Sequence, residues 1–260
     1  MLNETWLKKS ISDNEIIPTE KYKIFRLDRS TATHPPDPVD PNKFRRNGGG
    51  VLIGIKHNID ILSTQIKIKC KAEILSIELT DKKGCKTIFS TLYRVGTLGT
   101  DNHNSVEKYL TSIRRRRNVK GIFLIGDLNF PKADWQNLIS TDSTEQLFID
   151  TFNNISLDQL IEHPTHKKGN ILDLLATDCP QRISNLSILS EEQICGSDHF
   201  PILFDISLNA LRKKPIKRSV YNFKKANWEA INSDFSKVNW NHALNSSDID
   251  EAWNTLKFFW

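Results

Sequence analysis

Two short polar clusters carry the side chains best suited to proton transfer and metal contact. Gly126-Asp127-Leu128-Asn129 directly follows the apolar run Ile122-Phe123-Leu124-Ile125. Polar side chains at the end of such a run emerge where irregular backbone can aim them into a cleft. Asp127 can accept a proton or contact a metal, and Asn129 can hold an oxygen without adding charge. Gly, Asp and Asn are also turn formers, so taken alone the motif reads more readily as a plain turn. The second cluster, Ser197-Asp198-His199, precedes Ile202 to Leu208 and sets an acid beside an imidazole. A histidine serves near neutral pH as acid, base or hydrogen-bond donor to a phosphate, and it needs a carboxylate to fix its tautomer.

Asp173 is a candidate for that carboxylate. It lies in Asn170-Ile171-Leu172-Asp173-Leu174-Leu175-Ala176-Thr177, where an acid among apolar neighbours is costly to bury without a partner. A solvent-facing strand position is the alternative. Glu4, in Asn3-Glu4-Thr5-Trp6-Leu7, reads as a carboxylate in the first turn of a helix, favoured there by the helix dipole. It is equally suited to a hard divalent ion, since magnesium prefers carboxylate oxygen and keeps several waters. Tyr93, which ends Ser90-Thr91-Leu92-Tyr93, is either a core aromatic or a phenol donating to a phosphoryl oxygen.

These residues need a rigid frame. Short β-type runs recur at Tyr22 to Leu27, Val51 to Ile55, Ile74 to Leu79, Thr87 to Tyr93, Ile122 to Ile125, Ile171 to Ala176, Ile183 to Leu189 and Ile202 to Leu208. Helices are expected near Glu4 to Ser12, Ser105 to Arg117 and Ser143 to Asn153, the last two opening on a Ser able to cap the first turn. Their irregular alternation points to stacked sheets with helices outside rather than to regular βαβ winding. His34-Pro35-Pro36-Asp37-Pro38-Val39-Asp40-Pro41 must be a surface loop, because proline lacks the donor and restricts its predecessor. Gly48-Gly49-Gly50 reads as a flexible entry to the strand at Val51 rather than a phosphate cradle, since no helix follows it.

Composition is that of an ordinary globular chain, 38% apolar and 26% charged, with a net charge of +5 that favours a polyanionic partner without proving one. Cys70, Cys85, Cys179 and Cys195 show no metal-finger spacing and are expected to be reduced thiols. No apolar run approaches the roughly 18 residues of a membrane span, and the N-terminus lacks a leader pattern, so an intracellular, soluble protein is expected. The core domain is expected to span 1–210. A basic linker, 211–225, contains Leu211-Arg212-Lys213-Lys214-Pro215-Ile216-Lys217-Arg218, which reads as a nuclear-localisation patch or a solvated linker. A helical segment, 226–260, carries Trp253, Leu256, Phe259 and Trp260 on one apolar stripe that runs to the last residue, implying a fragment of a longer polypeptide. Arg114-Arg115-Arg116-Arg117 point around a helix rather than along one phosphate track and read as a solvated helix end.

In order, Asn3-Glu4-Thr5-Trp6, Gly48-Gly49-Gly50-Val51, Tyr93-Arg94, Gly126-Asp127-Leu128-Asn129, Asn170-Ile171-Leu172-Asp173-Leu174 and Ser197-Asp198-His199 resemble the motif series of the endonuclease/exonuclease/phosphatase superfamily. The nearest form is the apurinic-type endonuclease domain of jockey-like non-long-terminal-repeat retrotransposons, to which Asn129-Phe130-Pro131 followed by Asp134-Trp135, and Pro164-Thr165, are also similar. The resemblance implies an α/β (α+β) fold, a four-layered sandwich of two mainly antiparallel sheets flanked by helices. It implies magnesium, with manganese as a substitute, held by Glu4 and with Asp198 nearby. Asp127 would orient or deprotonate the attacking water, and Asn129 would position water and phosphate. His199, oriented by Asp173, would contact the scissile phosphate, and Tyr93 would support the phosphoryl oxygens. The implied activity nicks DNA to leave a 3′-hydroxyl that primes reverse transcription, in the nucleus and in a polypeptide that also carries a reverse transcriptase. Other branches of the superfamily act as phosphatases or lipid phosphodiesterases, and a noncatalytic nucleic-acid-binding remnant is the remaining alternative. Family members carry a metal-binding asparagine on a strand upstream of the position matching Glu4, so that first strand is expected to be missing here. Tyr93-Arg94-Val95-Gly96 also lacks the prolines usual after this tyrosine.

Overall fold

Alternation along single strands divides this protein into layers. A computed structural model describes residues 1–31, 33, 48–59, 61–95, 100–189, 196–208, 226–245 and 248–259. The proline-rich stretch 34–41, Gly96, Cys195, the linker 211–225 and Trp260 lie outside them. In chain order the strands are β1 (Leu2–Asn3), β2 (Tyr22–Leu27), β3 (Val51–Lys56), β4 (Leu62–Ile66), β5 (Glu73–Thr80), β6 (Lys86–Tyr93), β7 (Val119–Asp127), β8 (Ala133–Asp134), β9 (Ile139–Ser140), β10 (Asp158–Gln159), β11 (Asp173–Thr177), β12 (Ile183–Ile188) and β13 (Ile202–Ile206). The helices are α1 (Asp13–Ile16), α2 (Thr100–Arg114), α3 (Ser143–Asn154), α4 (Trp228–Lys237), α5 (Trp240–Ala243) and α6 (Ile249–Phe259).

The larger sheet runs β10-β11-β7-β6-β5-β4 and is antiparallel except for the parallel pair β6–β7. Side chains alternate faces along each strand. Ile88 and Leu92 of β6, Ile122 and Leu124 of β7, and Leu174 and Ala176 of β11 therefore pack against Val106, Tyr109, Leu110 and Ile113 of α2 and Phe148 and Phe152 of α3. The residues between them face the other way. Leu75, Ile77 and Leu79 of β5 and Tyr93 of β6 meet Phe25, Val51 and Ile53 of the second layer, β1-β3-β2. Phe123 of β7 and Leu175 of β11 meet Ile202, Phe204 and Ile206 of the β12-β13 hairpin. The result is the expected stack of two mainly antiparallel sheet layers with helices outside. A fully buried aliphatic side chain of this kind contributes about 1.5–3 kcal/mol.

Several local expectations give way. Glu4 to Ser12 is not a helix: Asn3 pairs with Val51 in β1–β3, Glu4 and Trp6 adopt positive φ, and helix α1 begins only at Asp13. Helix α3 is capped not by Ser143 but by Asp142, which accepts the N–H groups of Thr144 and Glu145. Helix α2 starts at Thr100, so Ser105 lies inside it and accepts the N–H of Lys71. Strand β4, Leu-Ser-Thr-Gln-Ile, went unread because its polar edge residues break the apolar pattern. The arginine run is exposed, as expected, but two of its members have carboxylate partners: α2 ends at Arg114, which bonds Asp178, while Arg116 pairs with Glu78 at 3.0 Å.

The chain divides into two compact units, Met1–Leu211 and Arg212–Trp260. In the second, Asn227 and Asn239 cap α4 and α5 through their side chains. The helical segment expected over 226–260 contains α4, α5 and α6. No described helix is long and apolar enough to cross a membrane.

Candidate active site

Register alone sets a line of polar groups across one end of the larger sheet. Glu73 of β5 lies opposite Tyr93 of β6, Tyr93 opposite Asp127 of β7, and Asp127 opposite Asp173 of β11. All four point to the face opposite α2 and α3, because each is one residue out of phase with the helix-facing set. Strands β6 and β7 approach so closely here that a Cβ on Gly126 would sit 1.9 Å from the carbonyl oxygen of Leu92. Glycine at 126 thus lets Asp127 stand beside Tyr93.

Asp127 is buried, 5% exposed, and both its oxygens are engaged by Asn129. Oδ1 accepts the Asn129 backbone N–H at 2.9 Å and Oδ2 accepts its Nδ2 at 3.0 Å. The same Nδ2 donates to the Arg94 carbonyl at 3.0 Å, and Asn129 has φ +53°, the left-handed region that asparagine tolerates. Both amide hydrogens are therefore spent, and the side chain has only its oxygen to offer the cleft. Burial pushes the Asp127 carboxyl up to about 7, with Asp173 and, more weakly, Glu4 adding to the rise and His199 opposing it.

His199 Nδ1 lies 2.7 Å from Asp173 Oδ2, which places the ring proton on Nδ1 and leaves Nε2 for a ligand. This bond, opposed by burial, pushes the imidazole up to about 9. Asp173 is itself fixed from behind, since the fully buried Thr165 Oγ1 accepts the N–H groups of Leu172 and Asp173 at 3.0 and 2.9 Å. Asp198 is exposed and touches His166, its Oδ2 lying 3.2 Å from Nε2. Glu4, also exposed, accepts the Tyr93 hydroxyl. Next to it, Asn3 Oδ1 accepts Thr91 Oγ1 at 2.7 Å.

Two adjoining open pockets share Glu4, Asp127, Asp198 and His199 and form the two halves of one cleft, with Asp173 lining one half and Tyr93 and Asn129 the other. Sequence reasoning assigns no role to three of its supports, Glu73, Arg94 and His166. Glu73 is 3% exposed, pairs with Arg29 at 2.5 Å and accepts the Gly50 N–H at 2.7 Å. Gly48, Gly49 and Gly50 all have positive φ, and the carbonyls of Gly49 and Gly50 accept the N–H groups of Trp6 and Thr5. The glycine run is thus a clasp that seats the Glu4 segment. Arg94, also buried, lies with its guanidinium 4.9 Å from the Phe130 ring and donates to the Leu128 carbonyl. His166, the third, follows Thr165 in a turn, and a lone histidine there carried no signal.

The donor set fits a hard cation. Asp173 and, more weakly, Glu4 raise the cost of ionising Asp127, and a divalent ion relieves that repulsion with oxygen ligands. Two groupings bring three donor atoms within 4.8 Å of one another: Asp127, Asp173 and His199, and His166, Asp198 and His199.

Residues 87–203 match a family model described as endonuclease-reverse transcriptase. No curated protein matches the chain. Among solved structures, the endonuclease domain of TRAS1, a telomere-specific non-LTR retrotransposon, is 13% identical with a TM-score of 0.49, covering 72% of this chain and 80% of that one. The human Nocturnin catalytic domain with bound sulfate is 15% identical with a TM-score of 0.50, covering 79% of each chain. A mannosyl-6-phosphatase of Bacteroides thetaiotaomicron is 12% identical with a TM-score of 0.45, covering 75% of this chain and 79% of that one. At 15% identity the likeness to the Nocturnin domain concerns the fold alone.

Proposed function

We propose that this chain, whose residues 87–203 match the endonuclease-reverse transcriptase family model, is a member of the endonuclease/exonuclease/phosphatase superfamily and a magnesium-dependent phosphodiesterase that nicks DNA. The observation that carries the reading is the pairing of His199 with Asp173 at 2.7 Å beside the Asp127–Asn129 couple, on adjoining strand ends of one cleft. A carboxyl near 7 is matched to taking a proton from water at neutral pH, and an imidazole near 9 is matched to donating one. Asp127 accepts the proton of the attacking water, whose position the Asn129 amide oxygen helps to fix. His199, held by Asp173, donates from Nε2 to a phosphoryl oxygen, where negative charge builds as the water attacks in line. Glu4 and Asp198 would hold the magnesium ion, for which manganese would substitute. The ion's part is to offset charge on the phosphoryl and leaving oxygens. Tyr93 orients Glu4 through its hydroxyl and stands beside the phosphoryl oxygens.

Cleavage that leaves a 3′-hydroxyl suits a primer for reverse transcription, so we place the activity in a retroelement polypeptide that also carries a reverse transcriptase and works in the nucleus. The family description, which joins endonuclease to reverse transcriptase, supports that assignment. The test is relaxation of supercoiled plasmid with magnesium, for the wild-type chain and for Asp127→Ala and His199→Ala. Magnesium-dependent nicking lost in both variants is expected. Hydrolysis of inositol phosphates or phospholipids without nicking would turn the assignment to another branch of the superfamily, and nicking indifferent to both substitutions would defeat the catalytic roles.

A further inference from the structure

The turn between Pro164 and Asn170 touches both halves of the cleft. Thr165 holds Asp173 on one side through its hydroxyl, while its carbonyl accepts the Phe200 N–H at 2.7 Å and Lys167 N–H donates to the Asp198 carbonyl at 2.9 Å. Between them the backbones of His166 and His199 form an antiparallel bridge, and their rings meet edge to face with centroids 4.8 Å apart. The Asp198 side chain is 69% exposed, whereas that of His166 is 8% exposed.

The tautomer of His166 can be read from its partners. Its Nδ1 accepts the backbone N–H of Lys168 at 3.1 Å, so Nδ1 carries no proton. A neutral imidazole then carries its proton on Nε2, and Nε2 faces Asp198 Oδ2 at 3.2 Å. His166 is thus a donor to that carboxylate. Coordinating a cation through Nε2 would require moving the proton to Nδ1, directly against the Lys168 N–H, so the grouping of His166, Asp198 and His199 does not read as a three-ligand transition-metal site.

From this geometry we propose that His166 is a positioning residue, whose Nε2–H holds Asp198 in the orientation that presents its second oxygen to the cation. The proposal rests on the reading of Asp198 as a metal-holding carboxylate. An exposed aspartate samples several rotamers, and a buried ring anchored at its far nitrogen by backbone removes that freedom before the ion arrives. The ring acts through Asp198.

Three measurements test it. Ring nitrogen shifts by 15N NMR on the metal-free protein should report His166 as the Nε2–H tautomer. Binding of Mn2+, followed by electron paramagnetic resonance, should weaken about tenfold or more in His166→Phe, the usual cost of losing a group that orients a ligand. His166→Gln, whose terminal amide can place an N–H near the Nε2 position, should recover most of the affinity. An Nδ1–H tautomer, wild-type Mn2+ affinity in a folded His166→Phe, or equal weakening in both variants would overturn the proposal. If His166→Phe does not fold, the tautomer and His166→Gln still decide, because loss of affinity in Gln counts against the proposal. Failure of the underlying reading looks different: Asp198→Ala would then bind Mn2+ as tightly as wild type.

Discussion

Replacing Gly126 by alanine tests whether the site depends on the close approach of two backbones. The added Cβ would lie 1.9 Å from the Leu92 oxygen and 2.8 Å from its nitrogen and carbonyl carbon, whereas ordinary contact begins at 3.4 Å. The obstacle is backbone of a neighbouring strand, so no side-chain rotation relieves it. Relief requires β6 and β7 to part by more than about 1 Å, which takes ladder hydrogen bonds of roughly 2.9 Å beyond useful length. The pairs at stake are Leu92↔Gly126 and Tyr93↔Asp127. Two lost ladder bonds cost about 1 kcal/mol each, and overpacking adds about 1–3 kcal/mol. Against this stands a gain of at most about 1 kcal/mol from the stiffer unfolded chain. The net is a loss of about 2–4 kcal/mol, or roughly 5–15 °C in Tm for a domain of this size. The effect on rate is larger in proportion, since misplacing a reacting group by about 1 Å costs on the order of 100-fold. Urea denaturation and plasmid nicking should be compared with Gly54→Ala, where the new Cβ meets only side-chain carbons at 3.7 and 3.9 Å and φ is not in the left-handed region. Gly54→Ala should leave both readouts nearly unchanged. A Gly126→Ala protein as stable and as active as Gly54→Ala would refute the claim that strand approach at Leu92 sets the site.

Asp173→Asn should bring the His199 imidazole from about 9 toward its ordinary value near 6.5, read by NMR titration of the metal-free protein, and lower nicking by about 10²–10⁴-fold. Because pairing raises the folded-state value, the stability contributed by this ion pair is complete below about pH 6.5 and fades as pH rises through about 9, and the variant should lack that pH dependence. Glu73→Gln should destabilise the first unit by about 3–5 kcal/mol in urea, since it strands the buried Arg29 charge while leaving Gly50 N–H an acceptor. The double variant Arg114→Ala with Arg116→Ala should cost at most about 1 kcal/mol per pair and leave the salt dependence of DNA binding unchanged, because both guanidinium groups are tied to Asp178 and Glu78. A drop in the slope of log affinity against log salt by about one per arginine removed would make them phosphate contacts after all.

Most strands could be read from the sequence because their apolar residues are continuous or alternate cleanly: Tyr22–Leu27 has the bounds expected, and β3, β5, β6 and β12 differ from expectation by a residue or two at their ends. What failed was governed by contacts distant in sequence. Glu4 to Ser12 has ordinary helix composition, yet Thr5 and Trp6 donate to Gly50 and Gly49, and those bonds hold the segment in a conformation no local propensity favours. Glycines 48 to 50 looked like slack for the same reason, since the acceptor that fixes Gly50, Glu73, lies 23 residues away.

The candidate site illustrates the same division. Asp127, Asn129, Asp173, His199, Tyr93, Glu4 and Asp198 were singled out from residue type and motif order, but neither determines which side chain stands beside which. Period-two alternation gives each strand two possible faces, and only register says that Tyr93, Asp127 and Asp173 share a row. A slip of one residue in β11 would turn Asp173 toward the helices and put Leu172 or Leu174 beside Asp127. The features that forbid the slip are themselves unremarkable in sequence: Thr165 Oγ1 accepting two consecutive N–H groups at the start of β11, and Leu128 N–H donating to the Leu172 carbonyl at 3.0 Å. Thr165 therefore carries as much information about where His199 finds its partner as Asp173 does, although it has no chemistry of its own to announce it.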